Sequence, residues 1–264
     1  MKRFVLILLF ISMSFYECLA WARYGHEIAI AVAQRYLTEK TKENLAKYFP
    51  YDLKEDCVWM DEHRNDEEIA FTTFWHAANY TDDYKYDPHY GKTLGRGDAV
   101  TALHVVDDNF RDGGYKDMSD SLVVFNVRML IHFLPDAHCP VHCGYGYPAK
   151  KRKGPRYIAG VRYPSYHTFY DMIPVYIWGD VPADEVAAMI DDASRRERRK
   201  IVDGHMIDWF EEVARVNHQV YEWNKFDQKV MRDDTIEISK DLIAMQLRNA
   251  GYRLAYLLNL YFGE

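Results

Sequence analysis

His132, Asp136 and His142 stand within one eleven-residue run, His-Phe-Leu-Pro-Asp-Ala-His-Cys-Pro-Val-His. Imidazoles and carboxylates are ligands for transition metals such as zinc. His132 and Asp136 are four residues apart, so on a helix both side chains lie on one face and can reach the same ion. Pro140 stops or bends that helix, which frees His142 to turn toward a second ion.

A second pair with the same spacing, His167 and Asp171, occurs in Tyr-His-Thr-Phe-Tyr-Asp. Trp59-Met60-Asp61 and Phe74-Trp75-His76 add a carboxylate and an imidazole, each beside an aromatic residue able to wall a site from water. His26 completes the set. The remaining histidines, His63, His89, His104, His205 and His218, have no such context and read as structural. His138 lies inside the run but off the face of Asp136, which suits a hydrogen bond behind the ligands rather than metal contact. Cys139 and Cys143 flank His142, where metal ligation, a local disulfide and packing are all open, the last two together being favoured.

The elements that must carry these residues read as helices. Apolar residues recur at helical spacing at Ile28, Val32 and Tyr36, from Leu122 to Leu134, and from Ile207 to Trp223. Ile243, Leu247, Ala250, Leu254, Leu257 and Tyr261 form one apolar stripe suited to burial. Gly-, Pro-, Asp- and Tyr-rich loops cover 81–97 and 143–166, the second with a weak hairpin signal. Asp191-Asp192 and Asp233-Asp234 read as helix-start acids. No repeat or composition break marks a boundary. The fold class is therefore mostly α, a single-domain helical bundle in which ligands project from several facing helices.

Lys2 and Arg3, the apolar stretch from Phe4 to Met13 and the small residue Ala20 read as a signal peptide over 1–20. Residues 14–17 lack the small apolar character that a lipoprotein signal ending at Cys18 would need. Cleavage after Ala20 leaves a domain over 21–264 that begins at Trp21, secreted or periplasmic, with no membrane span. Cys57, Cys139 and Cys143 then remain, too few for disulfides to be the main constraint on the fold. The formal charge of -7 gives no general attraction to nucleic acid, so a polyanionic substrate must be drawn by local charge or metal. Of two basic runs, 195–200 reads as a solvated helix face; 150–156 lies between His142 and His167, where phosphate steering and a solvated loop are both open.

In order and spacing these motifs resemble the S1/P1 nuclease family, related in fold to the bacterial zinc phospholipases C. Trp21 followed five residues later by His26, the Trp-x-Asp of 59–61, and His76 after an aromatic-rich stretch all match. Residues 132–142 match the family's His-x-x-x-Asp-x-His-x-Pro-x-His at every fixed position. Ala250 to Asn259 match its closing Ala-Gly-x-Arg-Leu-Ala-x-Leu-Leu-Asn. The resemblance implies a zinc-dependent endonuclease or phosphodiesterase with three zinc ions. Asp61, His76, His132 and Asp136 would hold one, and Asp136 would bridge to a second held by His26 and the backbone amine and carbonyl of Trp21. His142, His167 and Asp171 would hold the third. Paired zinc ions make hydroxide available near neutral pH, and a third can stabilise charge on the leaving oxygen. Single-stranded DNA or RNA, and possibly nucleotides with a 3'-phosphate, would be cut to 5'-phosphate products, with unstacked bases entering aromatic pockets. The 15% aromatic content permits such pockets without locating them. Asp82 and Lys85 are a softer match, displaced by one position, to a carboxylate and lysine near the catalytic water; a loop acid and loop lysine on the surface is the competing reading.

The chain departs from the family at Pro135, where glycine is usual, at Cys139, where glutamine is usual, and at Tyr170, where tryptophan is usual. The segment from Cys143 to Tyr166 lacks the family's Gly-Gly-Asn stretch, which bears on substrate choice rather than on the ligands. A phospholipase C-like phosphoesterase and a non-catalytic metal-binding extracellular protein are the competing readings; Asp171, where the phospholipases tend to carry glutamate, favours the nuclease. If the amine of Trp21 is a ligand, one extra residue before Trp21 will cost the protein metal at one site and most of its activity. Unchanged metal content and rate in that variant would rule the amine out.

Overall fold

The computed structural model describes residues 21–264 apart from 88, 90–95, 146–156, 159 and 226–228. The candidate leader over 1–20 and the basic run at 150–156 thus lie outside the described residues. In chain order the helices are α1 Arg23–Gln34, α2 Glu39–Leu45, α3 Trp59–Glu62, α4 Ala99–Phe110, α5 Asp120–His138, α6 Tyr166–Asp171, α7 Ile173–Trp178, α8 Ala183–Ile190, α9 Arg195–Ile201, α10 Met206–Asn217, α11 Gln219–Trp223 and α12 Thr235–Phe262. Two small sheets accompany them. Strand β1 Ala78–Tyr80 pairs in parallel with β2 Cys143–Tyr145, and β3 Tyr157–Ile158 forms a hairpin with β4 Val161–Arg162. The expected mostly α class holds.

The C-terminal stripe is the spine. α12 is 28 residues long, and Ile243, Leu247, Ala250, Leu254, Leu257 and Tyr261 are all buried along it. α1 lies against α12 and also packs on α8 and α5. The close approach of α1 and α12 depends on Gly251, since a Cβ there would fall 2.5 Å from Val32 Cβ and 2.7 Å from the carbonyl of Ala29. α5 crosses the core fully buried from Met129 to His138, and it carries His132 and Asp136.

Three local expectations change. The periodic segment from Ile207 to Trp223 is two helices meeting at His218. At that junction the Asn217 amide donates to the carbonyl of His138 and accepts from Gln246, which ties the break to the buried end of α5. Asp191-Asp192 do not start a helix: Asp191 follows the end of α8 and takes hydrogen bonds from Arg35, Tyr36 and Tyr252, while Ser194 and Glu197 form the capping box of α9. Asp234 does precede α12, but its carboxylate pairs with Arg232 rather than capping the helix. Cys57, Cys139 and Cys143 are all free thiols.

α9 carries the basic run at 195–200, and none of its residues is buried, as a solvated face requires. No described helix is long and apolar enough to cross a membrane. Gly251→Ala should force α1 and α12 apart and destabilise the protein by about 1–3 kcal/mol, the usual cost of overpacking a core. Thermal unfolding would register this as a melting temperature lowered by about 2–4 °C per kcal/mol; an unchanged melting temperature would contradict the tight contact.

Candidate metal centre

The site forms where α5, α1, α3 and two loop segments converge. Within α5 the four-residue spacing brings His132 Nε2 to 3.3 Å from Asp136 Oδ2. His76 Nδ1 approaches the same oxygen at 3.0 Å and His132 Nε2 at 3.1 Å. Asp61 adds its carboxylate 3.6 Å from His132 Nε2 and 3.7 Å from His76 Nδ1. Donors held about 2.0–2.2 Å from one tetrahedral ion lie roughly 3.3–3.6 Å apart, and the separations here, 3.0–3.7 Å, bracket that range.

The other oxygen of Asp136 faces the opposite way, 3.3 Å from His26 Nε2. His142 Nδ1 is 4.0 Å from that same oxygen, while His142 Nε2 and His167 Nε2 are each 3.5 Å from Asp171 Oδ1. One carboxylate therefore stands between two donor groups, with a third beside it. Three overlapping sets of potential ligand atoms result: His26, His132 and Asp136; Asp61, His76 and His132; Cys139, His142 and Asp171.

Several elements fix these side chains. His132 Nδ1 donates to the backbone carbonyl of Cys57 at 2.8 Å, which leaves Nε2 free to bind a metal, the usual device for orienting a histidine ligand. The segment that supplies this carbonyl continues into α3 and Asp61. Trp59 anchors α3, sandwiched between the guanidinium of Arg128, 4.3 Å above its ring, and the stacked ring of His63. The parallel ladder pairs Ala78 with Cys143, so the chain just after His76 is tied to the chain just after His142. Pro140 works as expected: α5 ends at His138, Cys139 turns to extended backbone, and a 3-10 turn over Pro140–His142 carries His142 inward.

Trp21 joins the site through its surroundings. Its indole donates to the carbonyl of Pro135, 2.8 Å away, and the Ala22 amide donates to the carbonyl of Asp171. Gly25 permits the fold-back, because a Cβ there would stand 3.0 Å from Trp21 Cβ. The first residues are thereby fastened beside Asp136 and Asp171 together. α5 continues through Pro135 despite its missing N–H, and the Pro135 carbonyl accepts the indole.

The electrostatics call for a cation. His26, Asp61, Asp136, His142 and Asp171 are buried, and burial pushes Asp136 up to about 7 and the imidazoles of His26, His76, His142 and His167 down. Burial thus drives each group toward its neutral form. Both ring nitrogens of His26 and of His142, Asp61 Oδ2, Asp136 Oδ1 and His167 Nε2 are enclosed without a hydrogen-bond partner. Native proteins leave few such atoms, because each costs about 1–3 kcal/mol. A metal ion is a partner that satisfies neutral imidazole nitrogens and carboxylates at once.

Other candidates fall elsewhere. His138 donates to Leu134 O and accepts from Arg253, whose guanidinium also binds Glu212; it braces α5 against α12 and touches no ligand. Lys85 pairs with Glu211, and Asp82 is exposed in the same turn. Among the described residues no hydrogen bond or ion pair links either to the histidine cluster. Phe133 was not marked by sequence spacing, yet its ring meets His76 at 5.1 Å and His132 at 5.4 Å and walls the cluster on one side. Its place next to His132 in the run was the available signal. Trp75 packs edge-on against Phe133.

A family model described as S1/P1 Nuclease matches residues 21–263. The chain belongs to the S1/P1 nuclease family. It is also similar to Endonuclease 4 of Arabidopsis thaliana, 25% identical over 138 residues that cover 48% of this chain and 46% of the plant protein. The family match spans every residue of the cluster just described.

Because its two oxygens face different donor groups, Asp136→Asn should release more metal than Asp61→Asn, whose carboxylate serves one group. Metal content after dialysis into metal-free buffer measures this. Equal losses from the two variants would contradict the bridging position of Asp136.

Proposed function

We propose that this member of the family is a secreted or periplasmic phosphodiesterase that uses three zinc ions to cleave single-stranded nucleic acid to 5'-phosphate products. The observation that carries the reading is the divided Asp136 carboxylate, with Oδ2 among His76 and His132 and Oδ1 toward His26. An all-imidazole-and-carboxylate donor set suits zinc. Bound there, the ions would supply Lewis acidity, lowering the pKa of water and balancing charge on the phosphodiester. Asp61, His76, His132 and Asp136 would hold one ion, Asp136 with His26 and the main chain of Trp21 the second, and His142, His167 and Asp171 the third.

The protein's own groups have defined work around that chemistry. The Cys57 carbonyl keeps His132 in the tautomer that presents Nε2. Phe133 and Trp75 exclude water from one flank of His76, so that charges within act through a low dielectric. Phe71 and Phe74 are both exposed just before His76, and the Arg96 guanidinium lies over the Phe74 ring, 4.4 Å from its centre. Such aromatic and guanidinium surfaces favour bases that are already unstacked, which supports a single-stranded substrate. Removal of residues 1–20 would give Trp21 a free amine one residue before the Ala22 amide that donates to the carbonyl of Asp171.

Activity should be tested on protein beginning at Trp21. Single-stranded DNA, RNA, 3'-nucleotides and phosphatidylcholine form the panel. Hydrolysis of single-stranded nucleic acid that is lost on chelation and restored by zinc is the expected result. Zinc-replete protein that hydrolyses only the lipid, or nothing in the panel, would overturn the proposal.

A further inference from the structure

We propose that Cys139 is a thiolate ligand of the third metal, so that this position holds two imidazoles, one carboxylate and one sulfur. The inference rests on the metal-dependent reading above and adds a donor to it. α5 ends at His138, and Cys139 enters a tight turn in which its amide donates to Asp136 O while its own carbonyl accepts from the His142 amide. That turn fixes Cys139 and His142 on one short arc of backbone. The Cys139 side chain is fully buried, and its thiol donates to Asp171 Oδ1 across 3.9 Å, the hydrogen bond that a metal would replace. Sulfur, a His142 ring nitrogen and an Asp171 oxygen lie within 4.8 Å of one another.

The spacing fits one ion. Bonds of about 2.3 Å to sulfur and 2.0–2.2 Å to oxygen set an S···O separation of roughly 3.5–3.9 Å for angles between tetrahedral and trigonal. His142 supplies the independent observation, since it is buried and both ring nitrogens are without a hydrogen-bond partner. Asp171 Oδ1 sits 3.5 Å from the Nε2 atoms of both His142 and His167, so sulfur approaches a donor set that already has three members. The other thiols face partners outside the donor set. Cys143 Sγ meets the Asn217 amide, and Cys57 Sγ meets the Arg23 guanidinium.

Ligation is an acid–base exchange without redox change. The S–H bond breaks, its proton passes to solvent, and the sulfur lone pair forms the bond to the metal. Sulfur as a further protein donor would shift the preference of this position toward zinc and cadmium over harder ions.

Cobalt substitution in protein beginning at Trp21 tests the idea by absorption rather than by activity. Cobalt-loaded wild type should show a thiolate-to-cobalt charge-transfer band in the near ultraviolet. The band should vanish in Cys139→Ser at saturating cobalt while persisting in Cys57→Ser and Cys143→Ser. Cobalt-loaded wild type without the band would overturn the ligand assignment and leave the metal-centre reading standing, and this arm requires no variant to fold. Persistence of the band in Cys139→Ser would likewise overturn it. Failure of wild type to take up cobalt at all would remove the metal-centre reading along with the assignment.

Discussion

The structure is organised around a buried set of imidazoles and carboxylates, several of whose polar atoms have no hydrogen-bond partner. Neutral imidazole nitrogens and carboxylate oxygens converge at 3.0–3.7 Å around Asp136 Oδ2, and Asp136 Oδ1 opens on a second group. Several of these atoms are enclosed without a partner. Left so, they would subtract several kcal/mol from a net stability that is itself only about 5–15 kcal/mol. A cation between them reverses the sign of that cost. Metal binding at the cluster would then be linked to folding, as it is in other proteins.

The scaffold is legible as a solution to that constraint. The buried half of α5 supplies two donors at helical spacing. The segment through Cys57 and Trp59 does two jobs, giving a carbonyl that orients His132 and a short helix that presents Asp61. α1 brings His26, and the hydrogen bonds of Trp21 and Ala22 fasten its start to Pro135 and Asp171. The α12 spine contributes indirectly: Gly251 lets α1 lie close, and Arg253 reaches His138 at the end of α5.

Much of this was readable in the sequence because periodicity and fixed spacing encode local geometry. The pairs His132/Asp136 and His167/Asp171, the stop at Pro140 and the apolar stripe of α12 follow from 3.6-residue periodicity and proline chemistry alone. Partners distant in sequence were less accessible. Nothing local marks Cys57 as the source of the carbonyl that orients His132, and the parallel pairing of 78–80 with 143–145 depends on tertiary contact. Asp191 resembled a helix-start acid, but three donors, two just past the end of α1 and one on α12, claim it. Cys139 shows the limit from the other side, since its type and position left three roles open and the structure removes the disulfide.

The most direct test of the account is diffraction from crystals of the protein beginning at Trp21, recorded across the zinc absorption edge. The account predicts anomalous peaks on both sides of Asp136, each about 2.0–2.2 Å from a carboxylate oxygen and from imidazole nitrogens, with one peak shared by His76 and His132 and another by His26. Imidazoles and carboxylates hydrogen-bonded directly to one another, with no anomalous density between them, would contradict it.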